Sequence, residues 1–254
     1  MTMKHYQTSL CLTLSLAILS GCQTDYFSRS DARSCPASTY VSQKPYTNVS
    51  VTLDEAEQAQ ILDAIHEHHP TFTYILEKCE LADIPPKAAL LPLLSSQYHN
   101  GSHQNDEKGI WSLSPTMAQN LSLTHDYWFD GRLDIEQSTD AVIAYMQYLH
   151  SQLNDWDLAL TAYQIGLQDV LDAVNTNKHQ NLALDLLSLP LDDQAKQTVA
   201  KLDAIDELLQ TLPKQTSSLK SVAFPGQIDL ESLAAVTNIS RKELQELTVA
   251  LKET

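Results

Sequence analysis

One short stretch constrains the fold more than any other. Residues Ala88 to Leu94 read AALLPLL and are apolar on every side of a helix. A helix without a polar face has to be surrounded by protein, because its apolar surface cannot face water. Pro85 and Pro86 suit the first turn of such a helix, whereas Pro92 inside it should bend it. The sequence therefore predicts a central, buried, bent helix.

The rest of the chain supplies helices to surround it and shows no convincing strand pattern. Apolar residues recur at helical spacing, and helix-starting and helix-ending signals separate them. His99 to Lys108 is predicted to be a polar loop between two helices. The first predicted helix starts at a capping box at Thr52–Glu55 and stops before Pro70. Further helices are predicted over about 71–82, from Pro85 through the apolar run 88–94, after Ser114, over 138–153, 155–166 and 191–212, and after Asp229 and Ser240.

The N-terminus has the pattern of an export signal. Lys4 precedes an apolar run, Leu10 to Ile18, that is too short for an ordinary membrane span. The run closes on Leu-Ser-Gly-Cys22, which resembles the lipobox of bacterial lipoproteins. That resemblance implies removal of residues 1–21, a lipid on Cys22 and, because Gln23 follows rather than Asp, an outer-membrane location facing the periplasm. A plain secretory peptide with a chance cysteine is the alternative.

Composition indicates a tether after the signal, disfavours nucleic acid as a partner and leaves two cysteines that could pair. Residues 22–50 are rich in Ser, Thr, Asp and Tyr without a period, which indicates a tether. The net charge of −16 disfavours nucleic acid, so the two short C-terminal helices are not interpreted as a DNA-binding pair. Cys35 and Cys79 could form a disulfide in an oxidising compartment or remain separate thiols.

Four ordered motifs between residues 75 and 173 resemble one family. They are ILEKCELADIPPKAALLPLL, GIWSLSPTMA from Gly109, YWFDGRLDIEQST from Tyr127 and DWDLALTAYQIG from Asp155. Together they are similar to the catalytic domain of soluble-type (SLT) lytic transglycosylases, and most similar to the membrane-bound lytic murein transglycosylase D branch. The resemblance implies an all-α, lysozyme-like domain over residues 51–178 with flanking helices. Residues 179–254 are expected to form a small helical extension without a LysM repeat.

The resemblance also implies a reaction and identifies the position at which its catalytic residue is replaced. Family members cleave the MurNAc–GlcNAc bond of peptidoglycan to 1,6-anhydro products, using one glutamate as acid and base and no metal or cofactor. Counted from Leu90-Leu91-Pro92, that glutamate position holds Ser95, and the serine that follows it in the family is Ser96. A serine hydroxyl is far too weak an acid for this role, and general acid–base help is worth about 10²–10⁴-fold. The sequence therefore predicts little or no cleavage.

The same comparison assigns the remaining candidate site residues. Tyr163, which supports the glutamate in the family, is retained, as are Gly109 and Trp111. Two groove residues differ, because Ser112 stands for a glutamine and Gln164 for an asparagine. Ser96, Gly109, Trp111, Ser112 and Gln164 are therefore the predicted substrate-binding residues. Trp128 and Trp156 are expected in the core rather than at the groove.

Several other groups of polar residues have simpler interpretations than a catalytic or metal site. Asp106 or Glu107, in the loop before Gly109, could replace the missing acid, although a loop carboxylate would be more solvated than a catalytic one. His66 and His69 have chelating spacing but no evident third ligand, and His99 with His103 lie in a loop, so no metal site is predicted. A serine hydrolase at Ser95 or Ser96 with His99 lacks the Gly-x-Ser-x-Gly elbow.

Three functional hypotheses remain. The preferred one is an inactive transglycosylase-like lipoprotein that binds peptidoglycan strands or scaffolds and regulates a cell-wall enzyme through the inherited cleft. The second is an active enzyme with its acid relocated to Asp106 or Glu107. The third is a structural domain that binds a protein partner and leaves its cleft empty.

Overall fold

The computed structural model describes residues 51–211, 219 and 229–247. Within these ranges the chain is helical and contains no strands, which confirms the predicted all-α, lysozyme-like class. None of the described helices is both long and apolar enough to cross a bilayer. The predicted export signal, the tether, Cys22 and Cys35 all lie outside the described residues.

Ten α-helices and two short 3₁₀ turns make up the described part of the chain. The α-helices are α1 (Glu55–Glu67), α2 (His69–Leu81), α3 (Leu91–Ser95), α4 (Pro115–Asn120), α5 (Ile135–Leu153), α6 (Trp156–Ile165), α7 (Leu167–Gln180), α8 (Asp193–Gln210), α9 (Leu230–Thr237) and α10 (Arg241–Leu247), and the 3₁₀ turns are Pro86–Leu90 and Gln104–Asp106.

The apolar stretch at residues 88–94 lies at the centre of the core, as predicted. Ala88, Ala89 and Leu90 are completely or almost completely buried in the turn Pro86–Leu90, which continues directly into α3. The bend predicted at Pro92 takes a different form. Pro92 lies in the first turn of α3, where its missing N–H costs no helical hydrogen bond, and the change of helix type comes just before it.

The start of α1 corrects a predicted helix cap. The capping box uses Asp54 and Glu57 instead of Thr52 and Glu55: the Asp54 carboxylate accepts from the Glu57 N–H at 2.8 Å, and the Glu57 side chain accepts from the Asp54 N–H at 3.4 Å. Asp54 has the extended backbone of an N-cap residue, and aspartate is among the residues preferred at that position. Pro70 lies in the first turn of α2, just after the break.

Helices α5 and α6 pack against each other, and α6 also packs against α7 and α8. Asp155 caps α6 with two backbone hydrogen bonds, and Gly166, with φ of +102°, ends it, as predicted. Helix α7 was not predicted. It runs to Gln180, so the boundary expected at residue 178 falls inside a helix.

Helix α8 is fastened to the central turn by a buried ion cluster. Lys87 Nζ lies 2.5 Å from Asp157 Oδ1 on α6 and 2.6 Å from Asp203 Oδ1 on α8. Burial alone would lower the pKa of Lys87, but the two carboxylates outweigh it and raise that pKa above its ordinary value. The C-terminal extension therefore contributes a helix to the same compact body as the central turn.

Candidate functional site

A cleft of about 830 Å³ opens beside the end of α3. Ligand pockets in proteins have volumes of about 300–1,000 Å³. The cleft is bounded by α3, the loop before α4, the start of α4, the end of α6 and one face of α8. Its lining residues are Val51, Leu91, Leu94, Ser95, Glu107, Trp111, Ser112, Leu113, Ser114, Met117, Tyr163, Gln164, Gln194, Gln197, Thr198 and Lys201.

Ser95 lies at the edge of this cleft. It is the last residue of α3, and its hydroxyl donates back to the helix carbonyls of Leu91 at 3.3 Å and Pro92 at 3.5 Å. Such back-bonding is the usual conformation of serine in a helix and leaves the hydroxyl turned along its own backbone. The side chain is accessible from the cleft, so a longer residue at this position would reach into it.

Tyr163 and Trp111 form the aromatic end of the cleft. Their ring centroids lie 6.4 Å apart in an edge-to-face arrangement. The Trp111 indole N–H donates to Thr139 Oγ1 at 3.0 Å, which fixes the ring against α5. Burial, assisted by the neighbouring Tyr145, raises the pKa of Tyr163 above its ordinary value, so this phenol stays protonated at physiological pH.

Ser112 and Gln164, the two predicted departures from the family groove, both line the cleft. Ser112 has a left-handed backbone with φ of +47°, a conformation that costs energy in a residue with a Cβ. Its Oγ is buried without a hydrogen-bond partner among the described residues. Strained residues with unsatisfied polar atoms are concentrated at functional sites, which is consistent with the placement of Ser112 at the cleft.

The structure distinguishes the two alternative acids by their position relative to the cleft. Glu107 lines the cleft that also contains Ser95 and Tyr163. Asp106 is exposed, and its carboxylate lies 3.9 Å from the Arg132 guanidinium. Of the two residues predicted as a possible relocated acid, Glu107 therefore lines the cleft and Asp106 does not.

The loop that carries Glu107 is held by a buried ion pair. Arg132 donates to both carboxylate oxygens of Asp130, at 3.0 and 2.8 Å, and also to the carbonyl of Asp106 at 2.7 Å. Burial would raise the pKa of Asp130, but hydrogen bonds from the Arg132 side chain and backbone lower it well below its ordinary value. Asp130 therefore remains charged, and the guanidinium fixes the backbone next to Glu107.

Ser96 and Gly109, which were predicted to bind substrate, support this loop and are not among the residues that line the cleft. Ser96 is buried, and its hydroxyl donates to the Ile110 carbonyl at 2.5 Å. Gly109 has φ of +78°, and a Cβ there would lie 1.8 Å from the Arg132 carbonyl oxygen. The position therefore requires glycine because the two backbones touch.

Four lining residues on α8 were missed by the sequence analysis. Gln194, Gln197, Thr198 and Lys201 follow the spacing i, i+3, i+4, i+7, which places them along one face of the helix. The same face is hydrophilic in the sequence, so periodicity alone indicates solvent. Nothing in the sequence shows that this face borders a cleft. We call these four residues the α8 wall.

The histidines do not form a metal centre in the described part of the chain. No group of three or more His, Cys, Asp or Glu side chains is placed there to hold a metal ion. His103 bonds the Gly109 carbonyl through Nε2 at 3.0 Å, and His99 contacts the Ser96 carbonyl through Nδ1 at 3.1 Å. These two histidines therefore stabilise the loops around the cleft.

Trp128 departs from its predicted place in the core. Its side chain is 58% exposed, and Tyr127 beside it is exposed as well. Their rings pack edge to face at 4.8 Å in the turn that precedes the Asp130–Arg132 pair. The turn is closed by Asp126, whose carboxylate accepts from the N–H groups of Trp128 and Phe129.

Comparisons with known proteins identify the family. The profile of the Transglycosylase SLT domain family matches residues 94–185. The chain is 29% identical over 195 residues to the membrane-bound lytic murein transglycosylase D of Escherichia coli strain K12, covering 72% of this chain and 43% of that protein. It is 30% identical over 189 residues to the putative tributyltin chloride resistance protein of Alteromonas sp. strain M-1, covering 71% of this chain and 86% of that protein.

The helical fold, the domain match and these relatives together show that the chain belongs to the family of SLT-domain lytic transglycosylases. The resemblance predicted from the four motifs is therefore confirmed. The chain spans less than half the length of the Escherichia coli relative that it matches. That Ser95 occupies the position of the family's catalytic glutamate stays a prediction.

Proposed function

We propose that this chain is a cell-envelope protein whose cleft binds peptidoglycan glycan strands without the usual family cleavage. The observation that carries the proposal is the position of Ser95. It lies at the end of the buried helix and at the edge of a cleft that also contains Tyr163 and Trp111. The family motif assigns a glutamate to this position, and this chain has a hydroxyl there.

The proposal follows from the acid–base requirement of glycoside cleavage. Breaking the glycosidic bond requires a proton on the leaving oxygen, and the family takes that proton from one carboxyl group. The Ser95 hydroxyl is instead bonded to the carbonyls of its own helix. The cleft has a volume of about 830 Å³, an aromatic end and several amide groups, which are features of a ligand-binding pocket and supply no acid in place of Ser95.

The test is digestion of purified peptidoglycan by the mature protein, with 1,6-anhydro muropeptides read by mass spectrometry. Wild type should bind sedimented peptidoglycan and release no anhydro product, whereas Ser95→Glu should release it. Ser95→Gln is the matched control, since it adds the same side-chain length without an acid. Anhydro product from wild type would contradict the proposal, and a lack of binding would favour a domain that binds only a protein partner.

One observation favours a second candidate function, an active transglycosylase that uses Glu107. This carboxylate lines the cleft with Ser95 and Tyr163, and its loop is fixed by Arg132 and His103. A carboxylate that lines the cleft and stands on a loop with a fixed backbone is a candidate general acid. If wild type produces anhydro product, Glu107→Gln should abolish it, whereas Asp106→Asn, a neighbouring substitution outside the cleft, should not.

The same proposal includes an anchor. Removal of residues 1–21 and lipidation of Cys22 would attach the chain to the outer membrane, with residues 22–50 as a tether, residues 51–178 as the SLT domain and residues 179–254 as its extension. The relative named as membrane-bound supports an envelope location. Cys22→Ser should move the protein from the membrane to the soluble periplasmic fraction. In such a location the domain could also hold a cell-wall enzyme, which crosslinking in cells would capture.

A further inference from the structure

The two sides of the cleft carry opposite charges. Among the described residues that line it, Glu107 is the acid on the loop side and Lys201 is the base on the α8 wall. The chain as a whole has a net charge of −16, so Lys201 is a local positive charge in the cleft of an acidic protein. A cation facing a binding cleft in an acidic protein provides a local place for one negative group of a ligand.

Lys201 is available to a ligand at little cost. Its present partner is Glu57 on α1, whose Oε1 lies 3.4 Å from the ammonium nitrogen, and the lysine side chain is 35% exposed. Partly exposed pairs of this kind contribute little to stability. A ligand carboxylate can therefore replace Glu57 at Lys201 without disturbing the fold.

The α8 wall is held in place independently of Lys201. On the neighbouring face of the helix, Val199, Leu202 and Ile205 are fully buried. Asp203 joins the buried Lys87 cluster. Since α8 is fastened by these groups, the wall presents its side chains in a fixed arrangement. Preorganised groups bind a ligand with less loss of entropy than groups on a mobile loop.

The polar groups around Lys201 suit a ligand that carries amides. Gln194 and Gln197 each have an amide that can both donate and accept hydrogen bonds, and Thr198 adds a hydroxyl. Gln164 contributes a further amide from the end of α6. Acetamido sugars and peptide bonds have the complementary groups. A polymer that combines amides with carboxylates therefore matches this wall better than a neutral polysaccharide.

We propose that the α8 wall is a subsite for the carboxylate-bearing part of a peptidoglycan strand, with Lys201 receiving the carboxylate and the wall's amides binding the adjoining acetamido or peptide groups. This inference rests on the proposed function and adds what the cleft selects. The carboxylate has two possible sources in the strand, the lactyl group of MurNAc and the attached peptide. Both present the same chemistry to Lys201.

The experiment compares three ligands by isothermal titration with the mature protein. They are a GlcNAc-only oligosaccharide without carboxylates, glycan strands stripped of peptides so that the lactyl carboxylate is free, and strands that keep their peptides. Lys201→Gln should weaken binding of carboxylate-bearing strands about tenfold, the effect of losing one charge-assisted hydrogen bond, and leave the GlcNAc oligosaccharide unchanged. Lys178→Gln, which removes an exposed lysine of α7 outside the cleft, is the matched control.

Each outcome has a distinct meaning. A loss confined to peptide-bearing strands identifies the peptide as the source of the carboxylate, and a loss confined to stripped strands identifies the lactyl group. An equal loss for both strand types shows that Lys201 receives either carboxylate. Equal weakening for the GlcNAc oligosaccharide, or no difference from Lys178→Gln, overturns the subsite while wild-type binding still supports the proposed function. If wild type binds none of the three ligands, the proposed function fails and the subsite fails with it.

Discussion

Replacing Arg132 by methionine should destabilise the protein strongly, because it leaves a buried carboxylate unpaired. Asp130 is 0% exposed and Arg132 is 3% exposed, so water cannot take over the lost hydrogen bonds. Removing one partner of a buried ion pair costs about 3–5 kcal/mol. Lys108 remains 3.3 Å from Asp130 and compensates in part, which places the expected cost near the lower limit, about 3 kcal/mol.

The measurement is urea unfolding followed by circular dichroism, supported by thermal scans. A loss of about 3 kcal/mol corresponds to a fall in Tm of about 6–12 °C for a domain of this size. Lys78→Met is the control, since it breaks a pair with Asp140 of similar length, 2.6 Å, whose side chains are 28% and 53% exposed. Such a surface pair should cost at most about 1 kcal/mol.

The pH dependence gives a second measure of the same pair. The pKa of Asp130 in the folded protein lies below its ordinary value of 3.8, so the pair stabilises the fold above that pH and the stabilisation is lost as the pH falls. Wild type should therefore lose more unfolding free energy below pH 4 than Arg132→Met does. The reasoning is refuted if Arg132→Met unfolds within about 1 kcal/mol of wild type, or if both proteins respond equally to acid.

Three further outcomes are expected. Gly109→Ala should lose more than about 1 kcal/mol of unfolding free energy in a urea titration, because the added Cβ overlaps the Arg132 carbonyl. Gly101→Ala, which has open space around the added Cβ, should behave as wild type in the same titration. The Cys79 thiol is fully buried, and burial raises its pKa to about 12. Iodoacetamide should therefore label Cys79 only in denaturant, as read by peptide mass mapping. Rapid labelling of the native protein would contradict this expectation. Lys87→Met should lower the free energy of chemical unfolding by about 3–5 kcal/mol, because it leaves Asp157 and Asp203 unpaired. Replacing both aspartates by leucine in the same variant should restore most of the lost stability. A triple variant no more stable than Lys87→Met would show that charge burial is not the cause.

Much of the candidate site could be predicted from residues that are close together in the sequence. Local signals gave the cap at Asp155 and the end of α6 at Gly166, because both depend on residues adjacent in sequence. The motifs also gave the position of Ser95, Trp111, Ser112, Tyr163 and Gln164, which the fold brings to one cleft. The cap of α1 was misassigned by two residues because two overlapping boxes compete at that start, and the side-chain geometry selects Asp54.

What only the tertiary structure decided is which side of each element meets another. Asp106 and Glu107 are neighbours with the same chemistry, yet Arg132, 26 residues after Asp106, fixes their loop so that Glu107 lines the cleft and Asp106 does not. In the same way, the polar stripe of α8 has the pattern of a solvated face, and it borders the cleft because Lys87 holds the helix there. Sequence determines the local conformation and the chemistry of each side chain, whereas long-range contacts determine its surroundings, because those depend on residues far away along the chain.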